Sequence, residues 1–185
     1  MKFLTALAGL FRRHKPKPGA PAMKKSTRLV AGAAAALTAA GVSAVSLVGG
    51  WEGLRLVAYQ DVIGVWTACY GETKDIKRGM RFTRQQCDVM FIERLQEFET
   101  NMRMCLKAPD TIPDGAYVSF LSLSYNIGWG GFCKSSIARK ANAGDLRGAC
   151  ESLMLYNKAG KPLRVVKGLT NRRADERKLC LGSLK

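Results

Sequence analysis

Leu29 to Gly50 is a run of 22 residues without a charge, and it constrains the fold more than any other part of the chain. The run is long enough for a helix to cross a bilayer. Its composition is only weakly apolar, because eight of its residues are Ala, four are Gly and seven are large aliphatics. Leu and Val contribute only about −0.3 to −0.6 kcal/mol each at the centre of a membrane helix, so the span is marginally stable in lipid. We expect the segment to insert and to be able to leave again.

Positive charge before the apolar run sets its expected orientation. The chain has 30 Lys and Arg residues, and eight of them precede Trp51 in a stretch without Asp or Glu. Basic residues beside a span stay in the cytoplasm, so the C-terminal part is expected in the periplasm after export through the Sec machinery. Met23 is followed by two lysines and resembles a natural start, which leaves the choice between Met1 and Met23 open.

Two acids and a threonine follow the run in the arrangement Glu52-x8-Asp61-x5-Thr67. Glycoside hydrolysis requires one carboxyl group that protonates the leaving oxygen and a second acid that stabilises the sugar cation or activates water. Mostly apolar residues separate the two acids, and glycines and β-forming residues follow, as in a short sheet with tight turns. We expect Glu52 at a helix end, with Asp61 and Thr67 facing it across a cleft. The alternative is a chance arrangement on a solvated surface.

Three segments resemble the phage-type (T4-like) lysozymes of glycoside hydrolase family 24. The first is WEGLRLVAYQDVIGVWTACYGET, which carries Glu-x8-Asp-x5-Thr and a Gly-rich turn. A buried central helix of that family resembles SFLSLSYNIGWGGFCKSS, and its Arg-rich C-terminal helix resembles GLTNRRADERKLC. The resemblance covers Trp51 to Leu184. It implies an α+β lysozyme-like fold, mostly helical, in which a small β-sheet lobe and a helical lobe are joined by a long helix.

The resemblance also implies a role for each residue of the motif. Glu52 is the expected general acid, while Asp61 and Thr67 position and activate the attacking water. The substrate is the β-1,4 bond between N-acetylmuramic acid and N-acetylglucosamine in peptidoglycan, cleaved without a metal or cofactor. Glu52 must be protonated near neutral pH, which requires a partly apolar site, whereas Asp61 stays ionised in a wetter one. Glu72 stands where many members have His, which puts a local ion pair in doubt rather than the chemistry.

Two other functions remain open. A lytic transglycosylase also uses a single glutamic acid but gives anhydro sugars by internal attack; Asp61 and Thr67 argue against it because they imply a held water. The alternative from a different class is a non-catalytic, membrane-tethered peptidoglycan-binding protein that retains the fold. His-based catalytic sites are disfavoured, since the only histidine is His14 in the basic leader.

Three interpretations of the apolar run remain. It is a cleaved signal peptide with a small-residue site at Val42-Ser43-Ala44, a permanent anchor, which its weak hydrophobicity disfavours, or a signal-anchor-release segment. The chain resembles a subset of endolysins in which such a segment holds the enzyme inactive at the membrane until the membrane potential collapses. An inserted helix would keep Glu52, two residues beyond Gly50, at the lipid surface. We favour release; the sequence does not decide whether a holin-like partner triggers it.

All six cysteines lie after the apolar run, in the part expected in an oxidising compartment. Disulfides are therefore the expected state, with buried free thiols as the alternative. No CxxC pair is present, which disfavours zinc. Cys87 and Cys105 cannot bond if one helix carries both, because about 27 Å of axial rise separates them. The sequence does not choose among the fifteen possible pairings. Our working hypothesis has three pairs: Cys69 with Cys87, Cys105 with Cys133, and Cys150 with Cys180.

The rest of the chain is predicted to be a helical scaffold. Thr83 and Gln86 form a capping box before a long helix. Pro113 suits the first turn of a buried helix over 116–127, and further helices are predicted over 145–156 and 170–181. The apolar stripe of the long helix is expected in the core and comprises Cys87, Phe91, Leu95, Phe98 and Met102.

Two aromatic residues and a charged cluster receive structural rather than catalytic interpretations. Trp129 and Tyr156 could line a saccharide cleft, but core packing is favoured. The charged cluster is interpreted as an ion-pair network on a helix surface and comprises Arg172, Arg173, Asp175, Glu176 and Arg177.

These observations divide the chain into three parts: a basic cytoplasmic region over 1–28, a signal-anchor-release segment over 29–50 and a lysozyme catalytic domain over 51–185. The protein is expected first in the inner membrane of the host bacterium, tethered and inactive, and then in the periplasm as an active, soluble monomer. Peptidoglycan is the expected partner. No nucleic acid is expected, because the net charge of +16 fits an anionic cell wall and no nucleic-acid-binding motif is visible.

Overall fold

A computed structural model describes residues 28–31, 36–61 and 64–184 of the chain. Within these residues, seven helices account for most of the structure and three two-stranded antiparallel sheets accompany them. The helices are α1 (Ala39–Glu52), α2 (Arg84–Arg103), α3 (Asp114–Ile127), α4 (Trp129–Cys133), α5 (Ser136–Asn142), α6 (Leu146–Ser152) and α7 (Lys167–Gly182). The paired strands are β1 (Val30–Ala31) with β2 (Ala36–Leu37), β3 (Arg55–Gln60) with β4 (Trp66–Cys69), and β5 (Lys158–Ala159) with β6 (Arg164–Val165). The basic leader before Arg28, including His14 and Met23, lies outside the described residues.

The predicted long helix is present as α2, and it joins two hydrophobic clusters. It begins with the predicted capping box, in which Thr83 Oγ1 accepts a hydrogen bond from Gln86 N and Gln86 Oε1 accepts one from Thr83 N. Its apolar stripe is buried, as the spacing predicted. At its start, Cys87 packs with Ala68 and Ile76 behind the β3–β4 sheet, and its later turns pack into the larger helical core. This is the two-lobed α+β arrangement predicted from the sequence.

The centre of the larger lobe is α3, which is buried on nearly every side between Ala116 and Asn126. It begins after Pro113, as predicted, and packs against α1, α2 and α7. The helix predicted over 145–156 is present as α6, which ends at Ser152, and a 3-10 helix over Leu153–Leu155. The last predicted helix is α7, which begins three residues earlier than expected, at Lys167. Tyr156 is half-buried, and its hydroxyl accepts a hydrogen bond from Ser136 N at 3.0 Å, so it packs on the core.

The apolar run is not a single helix in this structure. Its described residues form β1, β2 and most of α1, and α1 packs on α3 through Ala40, Ala44 and Val48, all buried. Thr38 caps α1, because its Oγ1 accepts a hydrogen bond from Gly41 N at 3.1 Å. Among the residues that the structure describes, no helix combines the length and the apolar character needed to cross a membrane. The second half of the run therefore belongs to the core of the folded domain.

Three disulfides connect the elements around these cores. They join β4 to α2, the end of α2 to α4, and α6 to α7. The bond between α6 and α7 closes a sequence separation of 30 residues. In the chain-entropy account, a loop of that length stabilises the folded state by about 3–4 kcal/mol. The pairs are those of the working hypothesis: Cys69–Cys87, Cys105–Cys133 and Cys150–Cys180.

Gly115 tests the close packing of α3 on the end of α7. A Cβ at this position would lie 2.6 Å from Leu179 O and 2.7 Å from Ser183 Cβ. We expect Gly115→Ala to lower the free energy of unfolding by about 1–3 kcal/mol, because the added methyl group must displace backbone. The matched control is Gly168→Ala in α7, where a Cβ meets no atom within 4 Å and the higher helix propensity of alanine is stabilising. Urea unfolding with intact disulfides measures both; equal midpoints would contradict this packing.

Candidate active site

Glu52 is the last residue of α1, as the sequence predicted for its position. The helix ends at Gly53, whose φ of 70° favours glycine. The Glu52 side chain is 18% exposed, and its Oε1 accepts a hydrogen bond from Arg172 Nη1 at 2.7 Å. A Cβ added to Gly71 would lie 4.0 Å from Glu52 Oε2, so the turn after β4 passes close to the other carboxylate oxygen. The carboxylate is thus held between α7 and this turn.

Asp61 and Thr67 lie on the β3–β4 hairpin. Asp61 follows β3, and its Oδ1 accepts a hydrogen bond from Val65 N at 2.9 Å, which closes the turn. Thr67 lies in β4 and is buried, and its Oγ1 donates to Val65 O at 3.1 Å. Because the Thr67 hydroxyl donates its proton to Val65 O, its oxygen can only accept a hydrogen bond from any further group.

Tyr59 links the three predicted residues into one site. It is the cross-strand partner of Thr67 in the β3–β4 register. Burial raises the pKa of Tyr59, the charge of Arg55 opposes this, and the negative charges of Asp61 and Glu52 raise the pKa further. The charges of both carboxylates thus act on Tyr59, the residue that faces Thr67 across the strand pair.

Three of the five residues in the charged cluster of α7 are buried, and for these three the interpretation as a surface network was wrong. Arg172 is 3% exposed, and Glu176 and Arg173 are 0% exposed. All three nitrogens of the Arg172 guanidinium donate hydrogen bonds: Nη1 to Glu52, Nε to Glu176 Oε1, and Nη2 to Ser122 O. Arg172 thereby joins α1, α3 and α7 at the catalytic candidate. The surface interpretation holds for Arg177, which pairs with exposed Glu151.

The sequence contains a pattern that predicts the burial of Arg172 and Arg173. Leu169 and Cys180 are buried in α7, and residues 172, 173 and 176 lie between them at helical spacing on the same face. An apolar residue and a disulfide cysteine at the two ends of a stripe indicate that the whole stripe faces the core. Charged residues within it must then have buried partners.

The buried charges of this cluster compensate one another. Burial alone lowers the pKa of Arg172, but the charges of Glu52 and Glu176 outweigh that effect and raise it. Burial lowers the pKa of Arg173 to about 10, although Glu176 opposes the shift. Burial raises the pKa of Glu176, and the charges of Arg173 and Arg172 oppose the shift. With Glu52 and Glu176 ionised, the two arginines and two carboxylates form a network without net charge. Because a buried ion without a partner is costly, this balance depends on α1 bringing Glu52 into the site.

Glu72, which replaces the histidine common in the resembling family, has its own local partners. Its Oε1 accepts hydrogen bonds from Thr73 N at 2.8 Å and Lys74 N at 2.7 Å, so it stabilises the turn after β4. Burial raises the pKa of Tyr125, and the charges of Glu52 and Glu72 add to the increase. The same turn passes beside the Glu52 carboxylate, because a Cβ on Gly71 would lie 4.0 Å from Glu52 Oε2. Over the described ranges, no group of His, Cys, Asp and Glu side chains is arranged to hold a metal ion.

These residues lie within a region that matches a known family. The phage lysozyme family model matches residues 49–176, which include Glu52, Asp61, Thr67 and Arg172. The chain belongs to the phage lysozyme family.

Individual relatives of this lysozyme-family hydrolase agree with the assignment. The chain is 34% identical over 163 residues to a SAR-endolysin of Enterobacteria phage P21. This alignment covers 87% of this chain and 96% of the relative. The endolysin from Escherichia coli O157:H7 phage FAHEc1 has a TM-score of 0.69 and 29% identity, with 80% of this chain and 95% of that one covered. The active form of the P1 phage endolysin Lyz also has a TM-score of 0.69 and is 26% identical, with 80% of this chain and 86% of that one covered. These likenesses confirm the lysozyme-like fold and support an endolysin function.

Arg172→Lys tests whether Arg172 positions Glu52. A lysine keeps the positive charge but lacks the planar fork that reaches Glu52, Glu176 and Ser122 at once. We expect peptidoglycan-lytic activity to fall about 10- to 100-fold, because small displacements of a catalytic group are costly. The control is Arg177→Lys on the same helix, whose partner is exposed. Clearing of a suspension of purified sacculi measures activity, and circular dichroism checks folding. Unchanged activity of a folded Arg172→Lys variant would show that Arg172 does not position Glu52.

Proposed function

We propose that this endolysin is a muramidase that hydrolyses the β-1,4 bond between N-acetylmuramic acid and N-acetylglucosamine, and that it becomes active on release from the inner membrane. The catalytic part rests on one arrangement: Glu52 ends α1 beside the turn that follows β4, and Asp61 and Thr67 lie on the β3–β4 hairpin that leads into this turn. The release part rests on α1, which holds half of the apolar run in the core and ends at Glu52. The name SAR-endolysin of the P21 relative supports the same interpretation.

The proposed reaction assigns a proton step to each carboxyl group. Glu52 donates its proton to the glycosidic oxygen as the bond to the anomeric carbon breaks. A water molecule donates its two hydrogens to Asp61 and to Thr67 Oγ1, whose own proton is bound to Val65 O. The oxygen lone pair of that water then faces the anomeric carbon. As the new C–O bond forms, Asp61 accepts the proton of the water.

Membrane insertion would keep this site from assembling. While residues 29–50 span the bilayer, with 1–28 on the cytoplasmic side, α1 is absent from the core and Glu52 lies at the lipid surface. The buried cluster of Arg172, Arg173 and Glu176 then has one positive charge in excess. Collapse of the membrane potential lets the weakly apolar run leave, and its small residues exchange lipid for contacts with α3. Export through the Sec machinery precedes this step, and the released periplasmic enzyme acts as a monomer.

Glu52→Gln tests the chemistry directly. The amide keeps the shape of the side chain but has no carboxyl proton to donate, so we expect the rate of fragment release to fall at least about 10²- to 10⁴-fold. Purified full-length protein with intact disulfides is incubated with sacculi, and the released fragments are analysed by mass spectrometry. Glu151→Gln, a change at an exposed ion pair, is the control.

The same fragments distinguish the alternatives. Reducing-end muramic acid supports hydrolysis, whereas anhydro ends would identify a transglycosylase. A folded wild-type protein that binds sacculi and releases nothing would be a binding protein. Full activity of a folded Glu52→Gln variant would refute the role of Glu52.

Gly41→Leu and Ser46→Leu separate membrane retention from assembly of the enzyme. Both changes make the apolar run more hydrophobic by a similar amount. At Gly41 a Cβ would overlap the backbone carbonyl of Leu29, whereas Ser46 is exposed on α1. We expect the soluble fraction of Ser46→Leu, collected after collapse of the membrane potential, to be active, and that of Gly41→Leu to be at least about tenfold less active. Equal specific activities in the two soluble fractions would contradict α1 docking as the activating step.

A further inference from the structure

Arg28, the last basic residue before the apolar run, is bound by the folded domain through its guanidinium group. Its Nη1 donates to the carbonyl oxygens of Pro109 at 3.1 Å and Ile112 at 2.8 Å. Its Nη2 forms an ion pair with Asp114. The guanidinium carbon lies 4.5 Å from the centroid of the Tyr117 ring, in a cation–π contact. The Arg28 side chain is only 22% exposed and makes contacts of three kinds, so the arrangement has the character of a binding site.

The base of this site is Glu99, a fully buried carboxylate in α2. Glu99 Oε1 accepts hydrogen bonds from the backbone N of Arg28 at 2.6 Å and from Tyr117 Oη at 2.7 Å. Its Oε2 has no hydrogen-bond partner among the described residues. A buried carboxylate is costly unless donors surround it. The site therefore loses one of the donors to its buried acid whenever Arg28 is elsewhere.

The residues that follow Arg28 connect this site to the start of α1. Leu29 is 1% exposed and packs in the main core. Thr38 N donates to Leu29 O at 2.9 Å, and the Thr38 hydroxyl donates to Arg28 O. The same threonine caps α1 through Gly41 N. Binding of Arg28 and capping of α1 therefore depend on one set of hydrogen bonds.

We propose that the domain carries a docking site for Arg28 that is filled only after release and that then holds α1, and with it Glu52, in the active enzyme. The inference rests on the proposed release from the membrane. We call this surface the Arg28 site, and it comprises Glu99, Pro109, Ile112, Asp114 and Tyr117.

The two states place Arg28 on opposite sides of the membrane. In the tethered form it is the basic flank on the cytoplasmic side of residues 29–50, while the Arg28 site lies with the domain in the periplasm. The hydrocarbon core, about 30 Å thick, separates the two. The residue that helps to orient the span therefore becomes a ligand of the domain after release. Once Arg28 is bound, its return to the membrane requires the loss of all these contacts, which favours the released form.

Thermolysin, which cuts before large apolar residues, measures occupation of the Arg28 site. Full-length protein is collected from the soluble fraction after collapse of the membrane potential, and mass spectrometry follows cleavage before Leu29. In the wild type this bond is expected to resist cleavage. In Arg28→Ala it is cut at least about tenfold faster, because cleavage follows the population of the open form. Lys24 and Lys25 remain in the variant and keep the flank basic.

Three further variants complete the experiment. Arg28→Lys keeps the charge without the planar fork, so its cleavage rate lies between those of the wild type and Arg28→Ala. Asp114→Asn, outside the apolar run, raises the rate by about two- to fivefold, as expected for loss of a partly exposed ion pair. Arg177→Ala removes an arginine that also binds a carboxylate, Glu151, and should leave the rate unchanged.

The outcomes for the Arg28 site and for the proposed function are separable. Cleavage before Leu29 at the same slow rate in wild type and Arg28→Ala refutes the docking site, and so does an equal increase in Arg177→Ala. Release of fragments from sacculi by the wild type is measured in the same preparation. If the wild type releases none, the proposed function fails, whatever the cleavage pattern. If it does release them and the cleavage rates do not differ, only the docking site fails.

Discussion

The ion pair between Glu52 and Arg172 is the interaction on which the active arrangement depends. Arg172 is buried where α1, α3 and α7 meet, and a buried guanidinium is tolerated only when its donors are paired. Ser122 and Glu176 satisfy two of its nitrogens, and Glu52 satisfies the third. The proposed catalytic acid is therefore also the counterion that completes a buried network. Both tasks require the same position, at the end of a correctly docked α1, but the counterion is ionised whereas the general acid carries a proton, so each reaction begins with protonation of Glu52.

The composition of the apolar run suits two environments. Eight alanines and four glycines make it long and uncharged, yet poor in the large side chains that hold a helix in lipid. The same small residues let α1 approach its neighbours closely: Ala44 is completely buried, and Gly41 has no room for a side chain against Leu29. A run rich in leucine would be stable in the bilayer but too bulky to pack where α1 lies in the folded domain. A more polar run would be stable neither in the bilayer nor in the protein core.

Local signals predicted much of the fold, whereas the site required knowledge of distant partners. The capping box at Thr83 and the apolar stripe of α2 depend on residues within a few turns, and both are present as predicted. The buried state of Arg172 depends on Glu52, 120 residues earlier in the chain. A charged stripe on a helix normally faces solvent, so the local pattern favoured the wrong face. Likewise, an uncharged run of 22 residues predicts a membrane helix, but its length does not show that half of it also fits a protein core.

The residues that flank the apolar run, Arg28 and Glu52, carry charges of opposite sign, and each binds a partner in the domain. At the N-terminal end, the guanidinium of Arg28 forms an ion pair with Asp114, and the backbone N–H of Arg28 donates to the buried carboxylate of Glu99. At the C-terminal end, the anion Glu52 meets the buried cation Arg172. The uncharged residues between them supply apolar contacts that lipid can also supply, so they distinguish poorly between membrane and core. The charged ends do distinguish, because only the folded domain offers both partners at the spacing that α1 sets. If the protein is released as proposed, the preference for the assembled enzyme over the tethered form is concentrated in the residues that flank the run.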